Sequence, residues 1–334
     1  MTRTSQSGKA LADGDANSYL LTMLILADSG SVRQVVYTSP DGAFSWIDIA
    51  APDRPTIGRL AVELDLDEEA LEDCLDTHQL PKTERIGDYA FLILRLHSGS
   101  ATSTAAGVYE MTQPLALFIS ARRLVTLHRR DHPVLFRLRK HVGGVGPELE
   151  QPELRVAEEI LAAALMTFDT PLSELSTELV ELESTLSDRR LTENALEQVF
   201  VRKRRASVMS WVLLRTREML ARARLPRDVD PAVLEGAREA AETLHIRSRE
   251  VVDFTDNLLN LQIAIASHRT NEVMRLLTVM SAVFMPLTFI VGLYGMNFDA
   301  PEFKWRHGYL MVWILIGAVL FGILRWFRRK GLLD

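Results

Sequence analysis

Two charge-free runs near the C-terminus constrain this chain more than any other feature. The first covers 23 positions, 276–298, and the second covers 17 positions, 308–324. A helix needs about 17–25 mostly apolar residues to cross a bilayer, so both runs are long enough, with the second at the short end. The sequence therefore predicts two transmembrane spans, over about 276–294 and over 308–327.

The chain before these runs is rich in charge and carries no secretory signal. Residues 1–18 are expected to form a disordered polar tail, and the apolar stretch Tyr19–Leu26 is too short for a signal peptide. Cys74 is the single cysteine, so no intramolecular disulfide can form. The net charge of −6 argues against a nucleic-acid partner. We therefore expect the large N-terminal part to stay in the cytoplasm.

Residues 19–146 alternate between strand and helix patterns, which predicts a cytoplasmic α/β domain. The predicted strands are Tyr19–Leu26, Gln34–Tyr37, Phe44–Ile49, Tyr89–Leu96, Leu115–Ile119 and Leu124–Leu127. The predicted helices are Arg54–Glu63, Glu68–Asp76 behind an Asp67 N-cap, and His132–Lys140. The glycine-rich stretch at 143–146 is interpreted as a linker, because a phosphate-binding loop would need a Lys and a following helix.

Beyond this linker almost the whole chain follows a helical pattern. The segments Glu153–Leu186 and Leu191–Leu225 predict an antiparallel hairpin over 152–226. The 54 residues 232–285 contain no proline. One helix of that length, ~80 Å long, is predicted to continue into the first span, giving a stalk and span over 231–294. Its apolar stripe needs partner helices, which indicates an oligomer.

Positive charges flank both spans on the same side of the predicted membrane. They are Arg269, Arg275, Arg325, Arg328, Arg329 and Lys330. The positive-inside rule then places both termini in the cytoplasm. Residues 295–307 become a short external loop, and residues 328–334 become a basic cytoplasmic tail.

The segment around the first span resembles a known family of metal transporters. It reads TNEVMRLLTVMSAVFMPLTFIVGLYGMNFDAPEFKW from Thr270 to Trp305, and LEDCLDTHQLPK stands upstream at Leu71–Lys82. Both segments closely resemble the CorA family, whose signature is Gly-Met-Asn after a span that contains proline. The resemblance implies a funnel-shaped homopentamer with an α+β cytoplasmic domain, long helices and two C-terminal transmembrane helices. The implied partners are copies of the chain, membrane lipid and divalent metal ions.

The Gly295-Met296-Asn297 tripeptide lies at the outer end of the first span. Mg²⁺ holds its water tightly and prefers oxygen ligands, so a ring of Asn297 amides can bind the hydrated ion without stripping it. Gly295 permits a tight backbone turn. Taken alone, Asn297 is better explained as a helix C-cap residue. The resemblance favours these three residues as a selectivity entrance.

Residues at three- and four-residue spacing form one stripe of the predicted span and its cytoplasmic extension. They are Asn271, Met274, either Leu277 or Thr278, Ser281, Met285 and Thr288. The resemblance assigns Asn271 and Thr288 to the pore lining. Rings of Met274, Leu277 and Met285 would form the gate, because apolar rings can close a pore by dewetting. Ordinary helix packing is the alternative interpretation of such a stripe.

A regulatory magnesium site is predicted at the subunit interface. In the family, carboxylates of the cytoplasmic domain meet an Asp on the neighbouring stalk, and Glu72 and Asp73 match the first half. Gly236 stands where the stalk Asp is expected, so Glu235 or Glu239 would have to replace it. The alternative is that Glu72 and Asp73 are solvated helix charges.

Two further clusters of charged or titratable residues are interpreted as ordinary surface groups. His128 and His132 lie four residues apart, but no Glu accompanies them as in a zinc-protease helix, so a surface pair is predicted. The basic run Arg202–Arg205 is interpreted as a solvated helix face, with attraction to anionic lipid as the alternative.

The predicted function is channel-like transport of hydrated Mg²⁺, and of Co²⁺, across a bacterial cytoplasmic membrane. A divalent ion gains about 4.6 kcal/mol across 100 mV, so the membrane potential can drive it. No Walker motif occurs, and neither an enzyme activity nor a cofactor is predicted. The alternatives are a zinc transporter of the same superfamily, with or without proton coupling, and a non-transporting membrane adaptor.

Overall fold

The chain forms two compact units of different character. The computed structural model describes five stretches: residues 32–99, 107–144, 149–187, 195–296 and 305–331. These residues fall into two units that divide between Asp256 and Asn257. The first unit is built around a β-sheet, and the second consists of helices.

A six-stranded mixed sheet forms the centre of the first unit. Its strands are β1 (Val32–Thr38), β2 (Ser45–Ala50), β3 (Lys82–Ile86), β4 (Tyr89–His97), β5 (Thr112–Ile119) and β6 (Arg123–His128). Their order is β1-β2-β6-β5-β4-β3. The β2–β6 pair is parallel, and the other neighbouring pairs are antiparallel.

Five of the predicted strands are confirmed, and one strand was missed. The missed strand β3 reads Lys-Thr-Glu-Arg-Ile, which lacks the apolar alternation of a strand that faces a core. It lies at the edge of the sheet with a single neighbour, so it does not need that pattern. The predicted strand Tyr19–Leu26 lies outside the described residues.

Helices lie between and after the strands of the first unit and make up the described part of the second unit. They are α1 (Arg54–Leu64), α2 (Glu68–Asp73), α3 (Val108–Met111), α4 (Pro133–Gly144), α5 (Pro152–Met166), α6 (Asp169–Ser187), α7 (Ala195–Arg222), α8 (Glu235–Tyr294) and α9 (Gly308–Arg329). Helices α1 and α2 pack on one face of the sheet, in a cluster with Phe91 and Phe118. The alternate residues Leu92 and Leu94 are also fully buried, and α4 and α5 contact the sheet as well. Both faces of the sheet are therefore covered.

Several predicted helix boundaries are wrong. Helix α2 ends at Asp73 rather than Asp76, with Cys74 as its C-cap. Helix α4 continues through Gly143 to Gly144, so the chain does not break at Gly143. A Cβ atom on Gly143 would lie 3.4 Å from the Val36 carbonyl oxygen, so this glycine lets the helix approach β1 closely. A further boundary lies inside the predicted helix Glu153–Leu186.

That predicted helix is two helices, α5 and α6, which are separated at Thr167. The Thr167 hydroxyl donates to the Ala164 carbonyl at 2.6 Å and accepts from the backbone N–H of His97 at 2.9 Å. Phe168 then turns into the core, where it is 1% exposed. Pro171 has no N–H to offer the Thr167 carbonyl, so a continuous helix would have lost a hydrogen bond there.

The helices α6 and α7 lie side by side, as the predicted hairpin requires. The Nε atom of Arg202 on α7 lies 3.0 Å from a carboxylate oxygen of Glu178 on α6. Helix α7 ends at Arg222, three residues before the predicted Leu225. The predicted start at Leu191 lies outside the described residues.

A buried charge network connects β2, β6 and α4. Asp48 accepts hydrogen bonds from Thr126 at 2.5 Å and from Arg139 at 2.6 Å, and His128 Nε2 lies 3.2 Å from its second oxygen. The other ring nitrogen of His128 lies 2.9 Å from the Arg130 carbonyl oxygen. Because both nitrogens face acceptors, both must donate, and the ring is a buried imidazolium.

Opposing effects set the charges of this network. Burial disfavours the charged form of His128, but the hydrogen bond and the negative charge of Asp48 outweigh burial and raise the pKa of His128. Burial also acts against ionised Asp48, and the partners His128, Thr126 and Arg139 outweigh it and lower the pKa of Asp48. The prediction of a surface pair is wrong, since His128 and His132 are 1% and 7% exposed.

Candidate ion pathway

Helix α8 carries the predicted pathway. It runs without interruption for 60 residues, which corresponds to about 90 Å. A 3-10 turn, Pro231–Leu234, precedes it, and the Asp230 carboxylate caps this turn by accepting from Ala232 N at 2.9 Å. Both α8 and α9 contain windows with a mean hydropathy of 2.2, so both are long and apolar enough to cross a membrane.

The predicted pore stripe is fully exposed on the single chain. At ~100° per residue its seven positions fall within an arc of about 120° on α8. Each side chain of the stripe is exposed, and Met285 is 73% exposed. The stripe alternates polar with apolar residues and contains no charged group. Such a surface is suited to a wet, neutral lining rather than to a dry core.

Two backbone features modify the helix along this stripe. The Thr278 hydroxyl donates to the Met274 carbonyl at 2.7 Å, which leaves the oxygen lone pairs of Thr278 free to accept from water. Pro286 lies inside the helix and has no N–H, so the carbonyl of Ala282 loses its usual donor. The helix therefore offers oxygen acceptors even where its side chains are apolar.

Gly295 closes the C-terminal end of α8. Its N–H donates to the Val291 carbonyl at 2.8 Å. A Cβ atom at this position would lie 3.0 Å from that same oxygen, so a larger residue would force the backbone to shift. Met296 follows with 62% exposure. Asn297 lies outside the described residues, so its placement stays a prediction.

Within one chain, the predicted regulatory carboxylates do not form a metal-binding cluster with other described residues. Asp73 accepts from the Gln79 amide at 2.8 Å and forms an ion pair with Lys82 on β3. Glu72, Glu235 and Glu239 are exposed. Across the described stretches, no three His, Cys, Asp or Glu residues come together in a way that could hold a metal ion.

Comparison with known sequences decides the family. The sequence model described as "CorA-like Mg2+ transporter protein" matches residues 41–329, which is most of the chain. The chain belongs to the CorA family. The resemblance predicted from the Gly-Met-Asn segment is confirmed, and the chain is accordingly a member of a family of membrane ion transporters.

Two CorA relatives span nearly the same length. The cobalt/magnesium transport protein CorA of Thermotoga maritima is 25% identical over 300 residues, covering 86% of this chain and 82% of that protein. The protein of the same name from Methanocaldococcus jannaschii is 23% identical over 330 residues, covering 93% of this chain and 99% of that protein.

A solved CorA structure confirms the predicted fold class. The complete structure of the CorA magnesium transporter from M. jannaschii superimposes with a TM-score of 0.68 and 20% identity. The match covers 89% of this chain and 94% of that one. The α/β domain, the long helix and the two apolar C-terminal helices are therefore the CorA fold.

The sequence interpretation of the CorA segment Leu71–Lys82 overlooked one residue. Lys82 received no role, yet its ammonium group is the ion-pair partner of Asp73. The sequence did offer one sign of this ion pair, which is a lysine that follows several acidic residues within one short segment. The bend after α2 that brings the two side chains together could not be predicted from this spacing.

Proposed function

We propose that this chain assembles as a homopentamer that conducts hydrated Mg²⁺, and also Co²⁺, across the bacterial cytoplasmic membrane. Both termini lie in the cytoplasm, and the membrane potential drives the ion inward. The observation that carries this proposal is the uncharged, exposed stripe of α8, which leads to Gly295-Met296-Asn297. Five such stripes around an axis would enclose a pore whose lining comes from one helix per subunit.

The chemistry of this lining suits an ion that keeps its water. Mg²⁺ dehydrates reluctantly, so the lining must accept hydrogen bonds from coordinated water rather than replace it. Amide and hydroxyl oxygens of Asn297, Thr288 and Asn271 are such acceptors. A ring of carboxylates would bind the divalent ion more strongly and slow its release.

Apolar rings supply the gate in this proposal. Met274 and Leu277 lie one turn apart near the cytoplasmic end of the span, and Met285 lies two turns further along. Rings of these side chains expel water when the pore narrows, and a hydrated ion cannot pass a dry constriction. The choice of ions is supported by the two relatives named as cobalt/magnesium transport proteins.

Uptake into proteoliposomes tests the proposal. Purified full-length protein is reconstituted, and uptake of Mg²⁺, Co²⁺ and Zn²⁺ is compared with and without a pH gradient. We expect Mg²⁺ and Co²⁺ uptake that follows the potential and is unaffected by the pH gradient. Zinc uptake that requires the pH gradient would favour the zinc transporter, and the absence of flux for every ion would favour the adaptor.

The variant Asn297→Ala tests the proposed selectivity filter at the pore entrance. We expect loss of selective Mg²⁺ uptake with intact pentamers by mass measurement, because the amide ring is removed. Asn257→Ala, an exposed Asn on the cytoplasmic part of α8, is the matched control and should conduct normally. Wild-type selectivity in Asn297→Ala would contradict the filter assignment.

The proposed magnesium sensor uses Glu72 and Asp73 of one subunit with Glu235 or Glu239 of its neighbour. Carboxylates across an interface repel one another, and a divalent ion would bridge them. The Lys82 ion pair already neutralises Asp73, so metal must compete with Lys82 for that carboxylate. Under this proposal, Asp73→Ala and Glu72→Ala reduce the protection of the stalk from proteolysis by Mg²⁺. Unchanged protection in both variants would remove these residues from the sensor.

A further inference from the structure

A pocket of about 610 Å³ opens in the first unit, away from the predicted pathway. Its walls come from the end of β4, from α4, from the break between α5 and α6, and from α7. Small-molecule sites in proteins commonly have volumes of about 300–1,000 Å³, so this pocket is large enough for a ligand. No part of the proposed transport function uses it.

His97 leaves one hydrogen bond unmade in the wall of this pocket. Its side chain lines the cavity and the residue is 6% exposed, yet its Nε2 has no partner among the described residues. Burial first, and then the charge of Arg205 and the neighbouring His132, lower the pKa of His97 to about 4. The ring is therefore neutral at pH 7. A buried polar atom without a partner is destabilising. Nε2 is itself covered, so a ligand gains this contact when the His97 ring turns toward the cavity.

The hydrogen bonds of the neighbouring His132 argue against a metal site that would use both histidines. Its Nε2 donates to the His97 carbonyl at 3.0 Å, and its Nδ1 accepts from the backbone N–H of Val134 at 3.2 Å. These two bonds fix one neutral tautomer and occupy both nitrogens. His132 therefore cannot join His97 as a metal ligand without breaking a hydrogen bond.

The charges around the pocket favour an anion. Arg137 of α4 and Arg205 of α7 line it, and Glu174 is the one acidic residue on its wall. Neither arginine forms an ion pair with a described residue, and the Nε of Arg205 is buried without a partner. Guanidinium groups bind phosphate oxygens in a planar, often bidentate geometry. Arg137 and Arg205 can therefore each bind phosphate oxygens from the wall of the pocket.

Part of the remaining wall is apolar. It includes Leu138, Ala163 and Met166, and the Met166 side chain is 52% exposed. An inorganic anion would leave this surface in water, whereas an organic ligand would cover it. We propose that the pocket binds a phosphorylated small molecule of mononucleotide size. Its phosphate would contact Arg137 and Arg205, its apolar part would contact Leu138 and Met166, and a rotation of the His97 ring would bring Nε2 into a hydrogen bond with it.

Titration calorimetry on the full-length protein in detergent tests this proposal. The probes are AMP, adenosine and inorganic phosphate, in buffer with EDTA so that metal binding does not contribute. We expect AMP to bind with one site per chain, and adenosine and phosphate to bind about tenfold more weakly or less, because each has half of the contacts.

Matched variants locate the site. Arg137→Gln and Arg205→Gln should each weaken AMP binding about tenfold or more, as expected for a charge-assisted hydrogen bond. Lys140→Gln on α4 and Arg204→Gln on α7 remove exposed cations of the same helices outside the pocket, and should leave the affinity unchanged. Arg137 is exposed, so its variant should fold normally, which circular dichroism verifies.

Three outcomes would overturn the proposal. One is the absence of AMP binding at millimolar concentration. Another is equal weakening by all four variants, which would indicate non-specific attraction. The third is phosphate binding as tight as AMP binding, which would remove the role of the apolar wall.

Discussion

The first unit buries charged groups, whereas the second unit exposes apolar ones. In the first, Asp48 is 2% exposed and His128 is 1% exposed, and each has its hydrogen bonds satisfied. In the second, Met285, Phe289 and Tyr309 are 73%, 69% and 80% exposed. The buried charges of the first unit are thus satisfied within a single chain. So much exposed apolar surface in the second unit marks an interface, as expected of helices that cross a membrane.

The largest contrast should appear when a phenylalanine is truncated in each unit. Phe118→Ala removes a side chain that is 1% exposed, and we expect the first unit to lose about 3–5 kcal/mol. Phe289→Ala removes an exposed side chain of the span and should leave the stability of the first unit unchanged. Native-state hydrogen exchange of the β5 amides measures both. A large loss in the first unit from Phe289→Ala would mean that the two units are not independent.

A polar pair gives the next largest contrast. Asp48→Ala leaves the charges of His128 and Arg139 in the interior without their carboxylate partner. The free energy of unfolding of the first unit should fall by about 3 kcal/mol. Asn271→Ala removes an exposed polar group of the α8 stripe and should cost less than about 0.5 kcal/mol. Denaturant unfolding of the detergent-solubilised protein compares the two variants. Equal losses would show that Asn271 is buried by neighbouring subunits as firmly as Asp48 is buried by its own chain.

A charge placed in the apolar part of the stripe should change flux rather than stability. Met274→Asp and Leu277→Asp would wet the gate, and we expect basal Mg²⁺ conduction to rise about tenfold, equivalent to about 1.4 kcal/mol in the barrier. Met274→Leu preserves an apolar ring and is the control. If both Asp variants assemble and conduct like the control, the gate lies elsewhere.

The smallest effect is a pH dependence confined to the first unit. The raised pKa of His128 means that the folded state holds its proton more tightly than the unfolded state. The stabilisation is therefore complete below the unfolded pKa of about 6.5 and disappears as the pH rises through the raised value. Hydrogen exchange of the β6 amides from pH 6 to 9, corrected for the intrinsic rate, measures it. His128→Gln should remove this slope, and an unchanged slope would assign it to another group.

The sequence predicted best where the environment of a segment is uniform. The central strands and the two spans are apolar along their length, so each could be recognised from its own residues. Strand β3 was missed because an edge strand needs no apolar face. The break at Thr167 was missed because its cause is a hydrogen bond to His97, 70 positions away, although Pro171 offered a local signal.

The candidate site likewise has some features that could be predicted from the sequence and others that could not. The order of residues along the α8 stripe follows from helical periodicity and could be predicted. The pairing of Asp73 with Lys82 depends on the turn after α2, and the burial of His128 depends on Asp48, 80 positions away in sequence. Contacts of this kind are invisible to spacing arguments, because they arise from the packing of distant elements.

Pro286 changes the hydrogen bonding of the main chain, an effect that replacing the polar side chains of the stripe would not reveal. In hydrocarbon, a peptide oxygen without a donor is unfavourable, so the carbonyl of Ala282 requires water or a neighbouring hydroxyl. At ~100° per residue, Ala282 lies about 20° beyond the edge of the stripe, which brings its oxygen close to the proposed aqueous side. The main chain thus contributes a fixed dipole midway through the span. Replacing every polar side chain would leave this dipole in place, and an N–H restored at position 286 would remove it.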